Sequence, residues 1–190
     1  GAQEFFNVIP DLATFGKGMA NGYPLSAVVG SNEIMQKVED IFFSGTFGGE
    51  TLSLASANAV IDKYKDKNVI EYFYEIGSYL IKELNQLIAD ESLEGYFGVL
   101  GHPSWSFLQF KEQQNYTLFE IRTFFEQEMF KRRVLILGSH NISFSHSKDD
   151  MDVLLKAYKV VLPLIKIYIE QENLLENIHG EILQPLFKVR

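Results

Sequence analysis

Asp11-Leu-Ala-Thr-Phe-Gly-Lys17-Gly-Met-Ala-Asn-Gly-Tyr-Pro24 sets one lysine between two glycines at the end of a short apolar run. Gly16 and Gly18 let the backbone turn tightly and let a planar group come close to it. Gly22-Tyr23-Pro24 then reverses the chain into a second apolar run, Leu25 to Val29, which ends at Gly30-Ser31-Asn32 and reads as a buried strand. Asn32 is placed to cap a short helix through Val38. A second glycine-rich turn follows, Ser44-Gly45-Thr46-Phe-Gly-Gly-Glu50, and leads into a helix from about Glu50 to Tyr64. That helix is rich in small residues (Ser53, Ala55, Ser56, Ala57, Ala59), which let it lie close against a neighbour.

Composition narrows what such a chain does. With 190 residues, 46% hydrophobic and 14% aromatic, it is long and apolar enough for a real core and unlike a disordered tail. Sixteen Phe and nine Tyr imply extensive packed surface, some of it facing other segments or subunits. A net charge of −8 with scattered Lys and Arg argues against nucleic acid or an anionic membrane as the main partner. The absence of cysteine excludes disulfides, thiolate metal sites and thiol nucleophiles. No signal peptide opens the sequence and no apolar run is long enough to cross a bilayer, so the cytoplasm is the expected compartment.

Beyond the helix at 50–64 the pattern changes. Val69, Phe73, Ile76, Leu80, Leu84 and Leu87 recur every three or four residues and predict a long amphipathic helix over 68–89. Glu94 to Gly98 and Gly101-His-Pro103 read as loops, and Trp105 to Phe110 as a strand. A helix over 117–131 turns Leu118, Ile121, Phe124, Phe125 and Met129 inward. Val134 to Leu137 and Asn141 to His146 read as short strands, with His140 and His146 on one face; Ser147, three residues before Asp150, opens a third long helix to about Gln171. From Glu172 onward a partly ordered extension is expected. The glycine-rich first part supplies only two or three strands and one helix, too little for a covered sheet, whereas the later part suits a small α+β domain. Two lone histidines without cysteine or a carboxylate cluster do not suggest a metal site.

A primary amine attacks an aldehyde only when unprotonated, so a lysine with that task needs burial or a neighbouring cation. Lys17 at the end of a buried strand meets that condition, and the hydroxyl-bearing Gly45-Thr46 turn suits a phosphate. An ordinary surface lysine in a glycine-rich loop is the plain alternative. A phosphate-binding P-loop is excluded, because Lys17 is followed by Gly18 and the position of its first glycine holds Asp11. Ser44 or Thr46 is also placed to cap the following helix, whose N-terminus is itself an anion site.

The order and spacing of Pro10-Asp11-Leu12, Phe15-Gly16-Lys17, Asn21-Gly22-Tyr23-Pro24, Ala27-Val28-Val29-Gly30 and Gly45-Thr46-Phe47-Gly48-Gly49 resemble the class III pyridoxal-phosphate-dependent aminotransferases, the group that includes glutamate-1-semialdehyde aminomutase. Asn141 to His146 and Asp149-Asp150-Met151 resemble the small C-terminal domain of the same family. The resemblance implies an α/β fold of type I. Residues 1–67 would be the C-terminal part of the large cofactor-binding domain, 68–89 a connecting long helix, and 90–190 the small α+β domain. It also implies pyridoxal 5'-phosphate as cofactor and Lys17 as the residue that forms a Schiff base and shuttles a proton. Gly45, by its amide, and Thr46, by its hydroxyl, would hold the cofactor phosphate of the other subunit in a homodimer with shared active sites. An amino donor and a keto or aldehyde acceptor would be the substrates.

Two departures accompany this. The acidic partner of the pyridine nitrogen, the stacking aromatic and the first phosphate turn have no match here, so the stretch is expected to be the later part of a longer enzyme and largely inactive alone. Residues 134–150 also lack the arginine with which many relatives clamp a carboxylate, which points toward the aminomutase-like branch or toward keto- or aldehyde-sugars. A catalytically inactive scaffold that keeps the fold is the alternative, against which intact Lys17 and Thr46 argue. Racemisation or decarboxylation on the same fold is a further one.

Overall fold

The lysine stretch folds back on itself as an antiparallel ribbon. A one-turn helix, α1 (Ala2–Phe5), comes first; β1 (Leu12–Phe15) then pairs with β2 (Ala27–Gly30), in the register Leu12 to Gly30 and Phe15 to Ala27. Gly30 is required by close approach, since a Cβ there would lie 2.4 Å from the Asp11 carbonyl oxygen. The next helix, α2 (Asn32–Met35), begins one residue earlier than the cap read from sequence: Ser31 is its N-cap and Asn32 its first residue. It tightens into a 3-10 turn over Gln36–Asp40, and α3 (Thr51–Asp66) closes this part. In the computed structural model, which describes residues 1–185, these elements form one unit, Gly1–Val69, and the chain from Ile70 onward forms another.

The first unit encloses little. Ala20, Ser53 and Ala57 are buried in it, whereas Val28 and Val29 are 43% and 47% exposed, so the strand expected to be buried is open. A two-stranded ribbon has only its own pairing to stabilise it, and no layer of this unit lies over its faces. Ile9 and Phe42 stand almost wholly in solvent.

The second unit has a core of its own. It comprises α4 (Val69–Asp90), β3 (Phe97–His102), β4 (Trp105–Phe110), α5 (Leu118–Lys131), β5 (Ser139–Asn141) and α6 (Lys148–Glu170), with the sheet in the order β3-β4-β5, all antiparallel. Leu84 and Ile88 of α4, Phe124 and Phe125 of α5, and Tyr158, Val161, Leu162 and Ile165 of α6 meet Phe97 and Leu108 of the sheet in one apolar cluster. Capping boxes start α5 at Thr117 and α6 at Ser147, the latter by the pairing with Asp150 that the sequence predicts. Leu118, expected inward, is exposed in the first turn of α5.

Three expectations change here. A strand runs over 97–102 and takes in the end of the loop expected at 94–98 and the start of that expected at 101–103, although two glycines interrupt it. Gly98 faces Gln109, and Gly101 sits at φ +102° where a Cβ would be 2.6 Å from the Trp105 carbonyl oxygen. Val134 to Leu137 form no ladder: Val134 and Ile136 pack on the core while Leu135 and Leu137 point outward, and pairing begins only at Ser139. The chain after Asn141 bends, with the Ser143 amide donating to His146 Nδ1, so His140 and His146 do not share a strand. The extension after Glu172 is anchored as far as it is described. Leu174 is fully buried, the Gln127 side chain donates to the Asn177 carbonyl and accepts from the His179 amide, and the Leu183 amide donates to Thr123 Oγ1. Residues 186–190 lie outside the described residues.

His140 is buried in a polar chain, with Nδ1 2.9 Å from Ser106 Oγ and Nε2 2.7 Å from Tyr158 Oη. A neutral imidazole donates at one nitrogen and accepts at the other, and both are used. Burial lowers its pKa from 6.5 to about 4 and pushes the Tyr158 hydroxyl up. Between these two pH values the unfolded chain binds a proton that the folded chain refuses, so stability falls as pH falls, by about 3 kcal/mol over the window. Urea unfolding from about pH 7 to about pH 4 is expected to show that loss, and His140→Gln to flatten it while lowering stability at neutral pH.

Candidate active site

The lysine turn is built on left-handed backbone. Gly16 is extended, and Lys17 follows at φ +50°, a conformation uncommon for a residue with a side chain. Lys17–Met19 form a 3-10 turn closed by the Met19 amide on the Gly16 carbonyl; Asn21 (φ +48°) and Gly22 (φ +107°) complete the reversal into β2. The expected burial is not there: β1 is open and the Lys17 side chain is exposed. Its amine makes no hydrogen bond or ion pair among the described residues.

The second turn is equally unspent. The Gly48 amide donates to the Gly45 carbonyl and the Glu50 amide to the Phe47 carbonyl. Among the described residues this leaves the amides of Gly45, Thr46, Phe47 and Gly49 and the Thr46 hydroxyl without partners. A Cβ added at Gly45 or Gly49 meets nothing within 4 Å. No hydrogen bond joins Lys17 to Thr46 within the chain.

Neither Ser44 nor Thr46 caps α3. The helix starts at Thr51, past the Gly48-Gly49 pair, and Glu50 is its N-cap. The Glu50 carboxylate accepts from Ser53 Oγ (2.5 Å) and from the amides of Leu52 (2.9 Å) and Ser53 (2.6 Å). The anion site expected at this helix end is thus already filled by a resident carboxylate. Ser53, Ser56 and Ala57 form the close-packing face, and Ser56 Oγ donates to the Ala20 carbonyl at 2.7 Å, tying α3 to the lysine turn. Glu50 and Ser56 shape the site without belonging to the residues that the sequence predicts for it. The signal of Glu50 in the sequence is an acidic residue directly before the helical run, where a side-chain oxygen can accept the first free amides. Among the described residues there is no cluster of three or more side chains that could hold a metal.

A family model described as aminotransferase class-III matches residues 1–100. Glutamate-1-semialdehyde 2,1-aminomutase of Methanosphaera stadtmanae is 31% identical over 176 residues, 85% of this chain and 41% of that enzyme. 3-Aminobutyryl-CoA aminotransferase of Cloacimonas acidaminovorans is 28% identical over 169 residues, 87% of this chain and 40% of that enzyme. The chain therefore spans well under half the length of these curated relatives. Among solved structures, the FumI protein of Sphingopyxis sp. MTA144 in its PLP internal aldimine form superposes with a TM-score of 0.78 at 24% identity, over 89% of this chain and 40% of that one. An omega-transaminase from Sphaerobacter thermophilus gives 0.74 at 17% identity, over 87% and 41%. At these identities the likeness establishes the fold.

The Glu50 carboxyl is held below its ordinary pKa by the Ser53 hydroxyl first and then by the amides of Leu52 and Ser53. Its support of α3 is full above the ordinary carboxylate range and is lost as pH falls through the depressed value. Hydrogen exchange followed by mass spectrometry is expected to show faster exchange of the Leu52 and Ser53 amides in Glu50→Ala at neutral pH, and the same fraying in the parent chain only under acid.

Proposed function

This chain belongs to the class-III aminotransferase family and carries part of its fold-type-I α/β architecture, and we propose that it serves a pyridoxal-phosphate enzyme that moves an amino group between an amino donor and a keto or aldehyde acceptor, as an aminotransferase or aminomutase. Residues 1–67 belong to its large cofactor-binding domain, 68–89 to a connecting helix and 90–190 to its small domain. The enzyme works in the cytoplasm as a homodimer.

One observation carries this reading: among the described residues, a primary amine on a strained turn and a hydroxyl beside free amides on a glycine turn are both left unspent. That donor set fits an aldehyde that also bears a phosphate. When bound, pyridoxal phosphate supplies a carbonyl that condenses with amines and a ring that takes up electrons released at the substrate carbon. Lys17 Nζ is the covalent anchor and, once released, the base and acid that moves the substrate proton. The Gly45 amide and Thr46 hydroxyl orient the phosphate of the partner subunit's site. Neither role is served by the exposed amine of this stretch alone. Residues outside it bury Lys17 and exclude water, so catalysis belongs to the full-length enzyme.

In the full-length protein, borohydride reduction after addition of pyridoxal phosphate is expected to fix the cofactor on Lys17, as read by peptide mass, and Lys17→Ala to abolish this and amino-group transfer together. Label that persists at full yield in Lys17→Ala overturns the assignment. Thr46→Val removes one hydrogen bond to a charged phosphate and is expected to weaken pyridoxal phosphate binding about tenfold, leaving pyridoxal, which lacks the phosphate, unaffected.

A further inference from the structure

We propose that Ser56 is a positioning residue for Lys17: its hydroxyl, from one helix away, holds the strained turn from which the lysine projects. The proposal rests on the assignment of Lys17 as the covalent anchor. The turn is anchored at one end only. Lys17 and Gly18 are exposed, while Ala20, at the end of the same 3-10 turn, is fully buried. The Ala20 carbonyl accepts from the Tyr23 amide at 3.2 Å and from Ser56 Oγ at 2.7 Å, which uses both of its lone pairs.

Three features make this contact more than a packing detail. A serine inside a helix has a local acceptor in the carbonyl four residues back, here that of Leu52, and Ser56 forgoes it for Ala20, 36 residues distant in sequence. Ser53 and Ala57, fully and almost fully buried on the same face, let the backbone of the turn come within reach of so short a side chain. Glu50 fixes the start of α3, so the helix is a stable base against which a left-handed lysine is held. Without the Ser56 bond the turn keeps only its internal hydrogen bonds, on a ribbon that no other element of its unit covers. The Lys17 amine then samples a wider volume, and the fraction of time it spends in attacking geometry falls.

The full-length protein tests this with two readouts. Without cofactor, Ser56→Ala is expected to accelerate hydrogen exchange at the Met19, Asn21 and Tyr23 amides while the β1–β2 ladder amides are unchanged. With pyridoxal as the probe, so that the phosphate grip plays no part, borohydride-trapped capture at Lys17 is expected to slow about tenfold in Ser56→Ala and to recover in Ser56→Thr, which keeps the hydroxyl. Unchanged exchange and capture in Ser56→Ala overturn the proposal, as does equal slowing in Ala and Thr variants with a matching drop in melting temperature, the signature of packing alone. Capture that survives Lys17→Ala is a different failure: it removes the Lys17 assignment, and Ser56 with it.

Discussion

A lysine whose backbone sits at φ +50° does not stay there on its own. Something must make the left-handed turn the lowest state, and in the first unit that is the approach of α3 to Ala20, permitted by Ser53 and Ala57 and closed by Ser56. The rest of the unit follows from this constraint. The helix must carry small residues where it meets the turn, and its start must be fixed, which Glu50 does from its own side chain. The glycine turn at 45–49 then hangs from the capped end of the same helix that grips the lysine turn. One element therefore governs the geometry of both unspent groups.

The two units differ in where their stability comes from. The second is a sheet with helices that bury Phe97, Phe124, Phe125 and Tyr158 completely or nearly so, and it has the polar chain through His140 at its heart. The first leaves Ile9, Phe42 and Phe43 in solvent and holds itself by the β1–β2 ladder, its turns and the contact of α3 with the lysine turn. Its apolar side chains are therefore spent on solvent rather than on a core. The chain spans only about 40% of the relatives it matches, 41% and 40% in the two enzymes named above.

The sequence made some of this visible and hid the rest for physical reasons. The long helices could be read because their apolar spacing and capping residues are local: Ile76, Leu80 and Leu84 repeat within α4, and Ser147 pairs with Asp150 across three residues. The reversal around Lys17 was legible because glycine and proline mark turns directly. Strand β3 was not, because Gly98 and Gly101 look like loop residues until Gln109 and Ser106 are seen opposite them. Whether a strand is covered depends on other segments, so the apolar run at 25–29 could not reveal that it lies open. Ser56 was hidden as a site residue because its partner is 36 positions away.

The fastening of the C-terminal stretch has a corollary for substitution. Gln127 and Thr123 seize it by main-chain atoms of Asn177, His179 and Leu183: one carbonyl, which every residue has, and two amides, which every residue but proline has. Any side chain but proline at 179 and 183 keeps these bonds, whereas the two α5 positions that do the seizing are tied to a carboxamide and a hydroxyl. The seam is therefore set by side-chain chemistry on one side and by backbone alone on the other.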